Sequence, residues 1–284
     1  MIVVGVDGSR AALSAVGWAA REAAARGDTL SVVHAMPAWP LEVSEEDRYV
    51  EVGRWMREGA TSMLDAAVER VRQEAPRVVV EPRLLGGDPR ALLIEAAADA
   101  ELLVVGNHGL GGFAGMLIGS VALGVAGRVA CPVAVIRDPA AWPAGEVVVG
   151  VDGSAAGTGA LGFAFFEASL RGVGLRAVHA WSRPVIGGGP FAEETAEAER
   201  RLLAEALAGW SERYPDVKVT QQLENGHAVR VLAEVSARAG LLVVGSRGRG
   251  ELAGLLLGSV SHSLLHHATC ALVVTPAPAS PGPS

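Results

Sequence analysis

The chain of 284 residues is half hydrophobic and only 19% charged, a composition suited to buried cores that excludes a disordered protein. Its net charge of −7 argues against a nucleic-acid partner, which needs a basic stripe to displace counterions, but leaves room for a small anion held by backbone N–H groups. Two cysteines, 139 residues apart, make neither a disulfide framework nor a metal cluster.

Strands alternating with helical patterns run along the chain, the signature of a parallel α/β sheet. Residues 2–6 read as a short apolar strand buried on both faces, and 9–26 as an alanine-rich helix capped by Ser9. A second strand is expected over 29–35; Pro37 and Pro40 break the chain, and a long helix follows at about 44–74. Residues 77–84 read as the third strand, with a helix opening near Pro89. The fourth strand is predicted at 102–105, then a glycine-rich loop, a helix to about 129 and a fifth strand at 132–136. The second half repeats this order, with strands at 147–151, 175–180, 217–222, 241–244 and 271–275 and a helix near 193–212.

The repetition is literal in places. IVVGVDGS at 2–9 returns as VVVGVDGS at 147–154, and Val33-His34-Ala35 returns as Val178-His179-Ala180, both at an offset of 145. From Gly106 to Gly245 and from Cys131 to Cys270 the offset is 139, so the second copy has lost six residues between its second strand and its glycine loop. A period near 140 residues is a whole domain rather than a solenoid unit. The expected organisation is one domain over 1–137, a linker at 138–145, a second domain over 146–275 and a disordered tail at 276–284. Residues 102–127 contain no charged side chain, long enough for a membrane span, but the matching window in the second copy carries Arg247, Arg249 and Glu251, so no membrane contact is expected. The first strand has no basic leader before it, and a cytoplasmic setting is expected.

Each fourth strand is followed by G-2x-G-9x-G-S: Gly106, Gly109, Gly119, Ser120, and again Gly245, Gly248, Gly258, Ser259. Such glycines permit positive φ and close backbone approach, so that N–H groups and the next helix N-terminus converge on phosphate oxygens. The lysine of a GxxxxGK[ST] loop is missing, and a GxGxxG reading fits poorly because the loop follows the fourth strand, not the first. Asp7 and Asp152 end the first strand of each copy, where a carboxylate can accept from a ribose or base amine, or act as a turn and cap residue.

VVGVDGS, a second strand ending in His-Ala and the G-2x-G-9x-G-S loop together resemble the universal stress protein family, specifically its tandem-domain, ATP-binding kind found in actinobacteria. The resemblance covers almost the whole chain, twice. It implies two doubly wound α/β domains, each a five-stranded parallel sheet of order 3-2-1-4-5 with helices on both faces. It implies ATP with Mg²⁺, adenine near strands one and two and phosphates in the loop. The first site would use Gly5, Asp7, Ala35, Gly106, Gly109, Gly119, Ser120 and Val121. The second would use Gly150, Asp152, Ala180, Gly245, Arg247, Gly248, Gly258, Ser259 and Val260. Family members often carry arginines within the loop; the second copy has Arg247 and Arg249, the first Asn107, His108 and Leu110, so the second site is expected to bind triphosphate more tightly. The resemblance further implies pairing of the two domains across their last strands and a homodimer of the tandem chain.

The functional expectation is therefore a nucleotide-dependent regulatory module of the stress response, no enzyme beyond slow ATP hydrolysis. The alternatives are a nucleotide-free structural protein, a cAMP sensor, and an adenylating ATP pyrophosphatase; the last expects an SGGxDS-like loop where strand one gives VDGSRAA. Cys131 and Cys270 read as small buried residues, and His34 and His179 as packing or hydrogen-bonding residues. His262 and His266 have the i, i+4 spacing of a metal pair without an HExxH motif, and a solvated face is the simpler reading. Trp39, Tyr49 and Trp55 read as packing residues, with a lid over the first site as the alternative, and the acidic run 193–199 as a solvated helix face.

Overall fold

The computed structural model describes residues 1–109, 118–137, 145–182, 191–248 and 257–277, with no side-chain description of 155 and 191–194. The predicted linker up to residue 144, Leu110, Arg249, Glu251 and the tail from 278 lie outside the described residues. The chain forms two compact units, Met1–Ala141 and Trp142–Ser284.

In the first unit β1 (Ile2–Val6), β2 (Leu30–Met36), β3 (Val80–Gly86), β4 (Leu102–Gly106) and β5 (Val133–Ile136) stand in the order β3-β2-β1-β4-β5. All pairings are parallel, with Val4 opposite both Val32 and Val104. Around them run α1 (Arg10–Arg26), the short α2 (Trp39–Glu42), α3 (Val50–Glu74), α4 (Pro89–Ala96) and α5 (Ser120–Val125). Helix α1 packs with α3, and α4 with α5. Right-handed crossovers put these pairs on opposite faces, because the chain moves one way along the sheet before β3 and the other way after it.

The second unit repeats the plan with β6 (Val147–Gly150), a 3₁₀ turn at Ala155–Gly157, α6 (Thr158–Arg171), β7 (Leu175–Trp181), α7 (Phe191–Leu207), α8 (Trp210–Arg213), β8 (Val219–Asn225), α9 (Ala228–Ser236), β9 (Leu241–Gly245), α10 (Ser259–His267) and β10 (Ala271–Thr275). Its order is β8-β7-β6-β9-β10, again parallel.

The apolar runs are strands because both their faces are covered: Ile2, Val3, Val4, Leu30, Val32, Leu102, Leu103 and Val104 are fully buried. β3 and β8 end the strand order and have no buried residue, with Glu81, Pro82 and Arg83 exposed on β3. A proline in that edge costs no ladder bond in mid-sheet.

Two helix readings are corrected. The helix expected from 44 starts at Val50, because Trp39 and Pro40 form their own short helix with proline in its first turn. The helix expected over 193–212 is two pieces, α7 and α8, separated by Gly209 at φ 78°. The first helix of the second copy starts at Thr158, after the 3₁₀ turn. The six lost residues are also located: Gly8 faces Met63 and Gly153 faces Leu202, so the offset has already fallen to 139 by the middle of α7.

Candidate functional site

The candidate residues converge where the strands end. Along β1 only Gly5 is uncovered among buried valines and isoleucine; along β2 only Ala35, and along β4 only Gly106. Gly150 on β6 and Gly245 on β9 repeat this, as does Ala180 at the end of β7. The opening therefore lies over the carboxyl ends of the three central strands, beside the switch in strand order where ligands of doubly wound sheets sit.

In the second unit this opening is a cavity of about 590 Å³ whose walls include all nine second-copy candidates: Gly150, Asp152, Ala180, Gly245, Arg247, Gly248, Gly258, Ser259 and Val260. The size suits a nucleotide-sized ligand. Leu232 of α9 and Val244 form an apolar side of it, and Leu232 packs under Gly150, where a Cβ would stand 3.0 Å from its Cδ1. The sequence reading did not select Leu232, because nothing in an apolar helix position distinguishes a cavity wall from core. His179 and His262 also line the cavity.

The two aspartates hold the turn that leads out of the first strand. Asp7 Oδ1 accepts the Ser9 N–H at 3.0 Å, and Asp152 Oδ1 accepts the Ser154 N–H at 2.9 Å and the Ser154 hydroxyl at 2.7 Å. The turn role weighed for these residues is thus real, and it uses one carboxylate oxygen. The other oxygen faces the glycine loop: a Cβ on Gly248 would stand 2.5 Å from Asp152 Oδ2, and one on Gly109 would overlap Asp7 Oδ2. Glycine is required here by contact, not by torsion. None of Gly106, Gly109, Gly119, Gly245, Gly248 and Gly258 has positive φ, which corrects the expectation that these glycines serve left-handed backbone. Gly106 makes the same argument against α1, since its Cβ would lie 2.8 Å from the Ala11 carbonyl carbon.

The long loop is closed at its neck. The Gly119 N–H donates to the Asn107 carbonyl at 2.6 Å, and the Gly258 N–H donates to the Ser246 carbonyl at 2.7 Å. Asn107 and Ser246 are buried and tied to the neighbouring strand, through Asn107 N–H to Ile136 O and Ser246 N–H to Thr275 O, both 2.8 Å. Ser246 Oγ also accepts the Ala277 N–H at 3.1 Å, so the tail expected to be free from 276 is held at its first residues. Gly119 and Gly258 cap the next helices in extended conformation with no side-chain cap bond. Ser120 and Ser259 are the first helical residues, where first-turn N–H groups have no intrahelical carbonyl to bond.

His34 and His179 are hydrogen-bonding residues, as read: Nδ1 donates to Val6 O at 2.8 Å and to Val151 O at 2.6 Å. In the second unit Nε2 additionally pairs with Glu199 Oε2 at 2.7 Å. Glu199 is thus no part of a wholly solvated face, which corrects the reading of the acidic run. Allowing for the six-residue loss, its counterpart is the buried Ala60. Cys131 is buried, and burial pushes its thiol up to about 11; Cys270 is half-buried, and neither is in a disulfide. The packing reading fails for Trp55, which is 73% exposed, while Trp39 and Tyr49 meet edge-on at 6.4 Å and are themselves exposed. Among the described residues no helix is long and apolar enough to cross a membrane.

Fold, repeat and site together define a tandem doubly wound α/β protein with a crevice in its second domain. A sequence profile described as the universal stress protein family matches residues 1–137 and 144–276. A universal stress protein of Mycobacterium tuberculosis is 40% identical over 96% of each chain, and one of Mycolicibacterium smegmatis is 38% identical over 96% of each. The chain belongs to the universal stress protein family. The crystal structure of a universal stress protein from Archaeoglobus fulgidus has the same fold, with a TM-score of 0.69 at 20% identity over 97% of this chain and 96% of that one.

Proposed function

We propose that the chain is an ATP-binding regulatory module whose two domains each present a nucleotide crevice, and that it turns ATP over slowly or not at all. The observation that carries this reading is the convergence of Asp152, the Gly245–Gly248 turn and the Ser259 helix start around one cavity of about 590 Å³. The residues fit the ligand in kind. Ala180 and Asp152 offer a backbone edge and a carboxylate for adenosine, while Arg247, Gly248, Ser259 and Val260 offer a cation, N–H groups and a hydroxyl for phosphates. Mg²⁺ would arrive with the phosphates, since it keeps its waters and needs few protein carboxylates. The GxxxxGK lysine that assists phosphoryl transfer is missing from the sequence, which supports binding over turnover. A cytoplasmic setting and a homodimer belong to the same proposal; two cysteines outside any disulfide suit a reducing compartment.

Denaturing freshly purified protein and identifying released nucleotide by chromatography and mass spectrometry tests the reading. ATP near two per chain supports two competent crevices, and near one supports the second as the tighter. An empty protein that also fails to bind added Mg-ATP overturns the proposal.

A further inference from the structure

At the mouth of the second crevice stands a histidine, paired with another one helical turn further on, that nucleotide binding does not by itself explain. His262 is the fourth residue of α10 and lines the cavity, and His266 follows one turn later. Residues four apart share a helix face, and helical side chains lean back toward the N-terminus. His262 thereby leans over the helix start where phosphates would lie. The two ring centroids are 5.4 Å apart with planes at 49°. An imidazole nitrogen sits about 2.0–2.1 Å from a zinc ion, so each ring centre is about 3.2 Å from it; two rings on one tetrahedral ion are then about 5.2 Å apart. The rings therefore already stand close to the separation that a shared tetrahedral ion requires.

We propose that His262 and His266 form a two-histidine site for a borderline divalent transition ion, of the Zn²⁺, Co²⁺ or Ni²⁺ kind. Imidazole suits such ions better than it suits Mg²⁺. Among the described residues no group of three His, Cys, Asp or Glu side chains gathers to hold a metal. The remaining positions on the ion are left to water or to phosphate oxygens of a nucleotide in the adjoining cavity. Arg247 lines that cavity too, and its charge opposes a bare cation more than a phosphate-bound one. Metal and nucleotide should therefore strengthen each other's binding, a link that rests on the nucleotide reading above. The site is confined to the second copy: Leu123 and Gly127 occupy the matching positions in the first. The sequence alone favoured a solvated face; the ring separation beside the cavity is what changes that.

Titrating the full chain with Co²⁺, whose visible absorption reports tetrahedral imidazole ligation, tests the site. One equivalent is expected, displaceable by Zn²⁺, lost in His262→Leu and in His266→Gln, and retained in His267→Gln. Thermal melts of the variants show whether each remains folded. With ATP present, Co²⁺ affinity should rise about tenfold, equivalent to about 1.4 kcal/mol. No cobalt spectrum in the wild type, or an unchanged spectrum in both His262→Leu and His266→Gln, overturns the site. A site indifferent to bound ATP overturns the phosphate link. ATP binding measured with Mg²⁺ alone reports separately on the nucleotide reading.

Discussion

The carboxylate of Asp152 occupies the space that a side chain at position 248 would need: a Cβ there would lie 2.5 Å from Oδ2. The carboxylate cannot simply swing away, because Ser154 grips its other oxygen through both N–H and hydroxyl. Strand β6 and the glycine loop are far apart in sequence but are fitted to each other here by one missing methyl group.

Gly248→Ala should therefore displace Asp152 and lower nucleotide affinity about tenfold or more, a loss of at least about 1.4 kcal/mol. Gly109→Ala should act likewise on Asp7. Calorimetric titration with ATP checks both, and wild-type affinity in Gly248→Ala would remove the proposed role of this contact.

Arg247 is exposed on the cavity wall, where its guanidinium can meet a polyphosphate. A hydrogen bond to a charged group contributes about 1.5–3 kcal/mol, so Arg247→Ala should weaken ATP binding roughly 10- to 100-fold. Adenosine should be almost unaffected. Equal losses for ATP and adenosine would show that the arginine supports the fold of the pocket instead of reading phosphates.

Ser9 caps α1, its hydroxyl accepting the Ala12 N–H at 3.1 Å. Ser9→Ala should cost about 1 kcal/mol in denaturant unfolding. Leu103, fully buried on β4, should cost about 2–5 kcal/mol when cut to alanine. If the cap proves costlier than the core residue, helix α1 depends on more than its own first turn.

Two groups set pH dependence at opposite ends. The guanidinium of Arg90, with N–H groups of the α4 turn, lowers Asp88 to about 2 from 3.8. Its stabilising contribution is present above 3.8 and is lost as pH falls toward 2; the group is exposed, so added salt should weaken the effect. Burial raises Cys131 from 9.0 to about 11, so its contribution is full below pH 9 and fades as pH rises through 11. Stability-versus-pH curves of Asp88→Asn and Cys131→Ala should be flatter than wild type at the acid and alkaline ends respectively. Cys131 should also react with thiol reagents only on unfolding, whereas the half-buried Cys270 reacts sooner.

The sequence showed the strands best where burial on both faces made them uninterrupted: β1 lies on the residues read for it. The second-copy candidates line one cavity because the Gly-x-Asp-Gly and glycine-loop spacings that selected them are short-range and occur twice. What the sequence hid depends on contacts between distant segments. Asp152 against Gly248 is one such contact, and Leu232 beneath Gly150 is another. The His179–Glu199 pair was hidden by the six-residue loss, which sets Glu199 against Arg54 instead of Ala60 unless the gap is placed first. Helix starts failed where proline was read only as a breaker, as at Pro40, though it also opens a helical turn.

The bond that joins Gly119 to Asn107, repeated from Gly258 to Ser246, separates the loop's geometry from its composition. The eleven residues it encloses read HGLGGFAGMLI in one copy and RGRGELAGLLL in the other, yet the helix beyond starts at the same serine in both. A duplicated chain can therefore let one enclosed segment acquire charge while its twin gains none, with both helices still opening at the matching serine. Two domains of unequal loop chemistry can thus diverge within a single polypeptide while sharing one architecture.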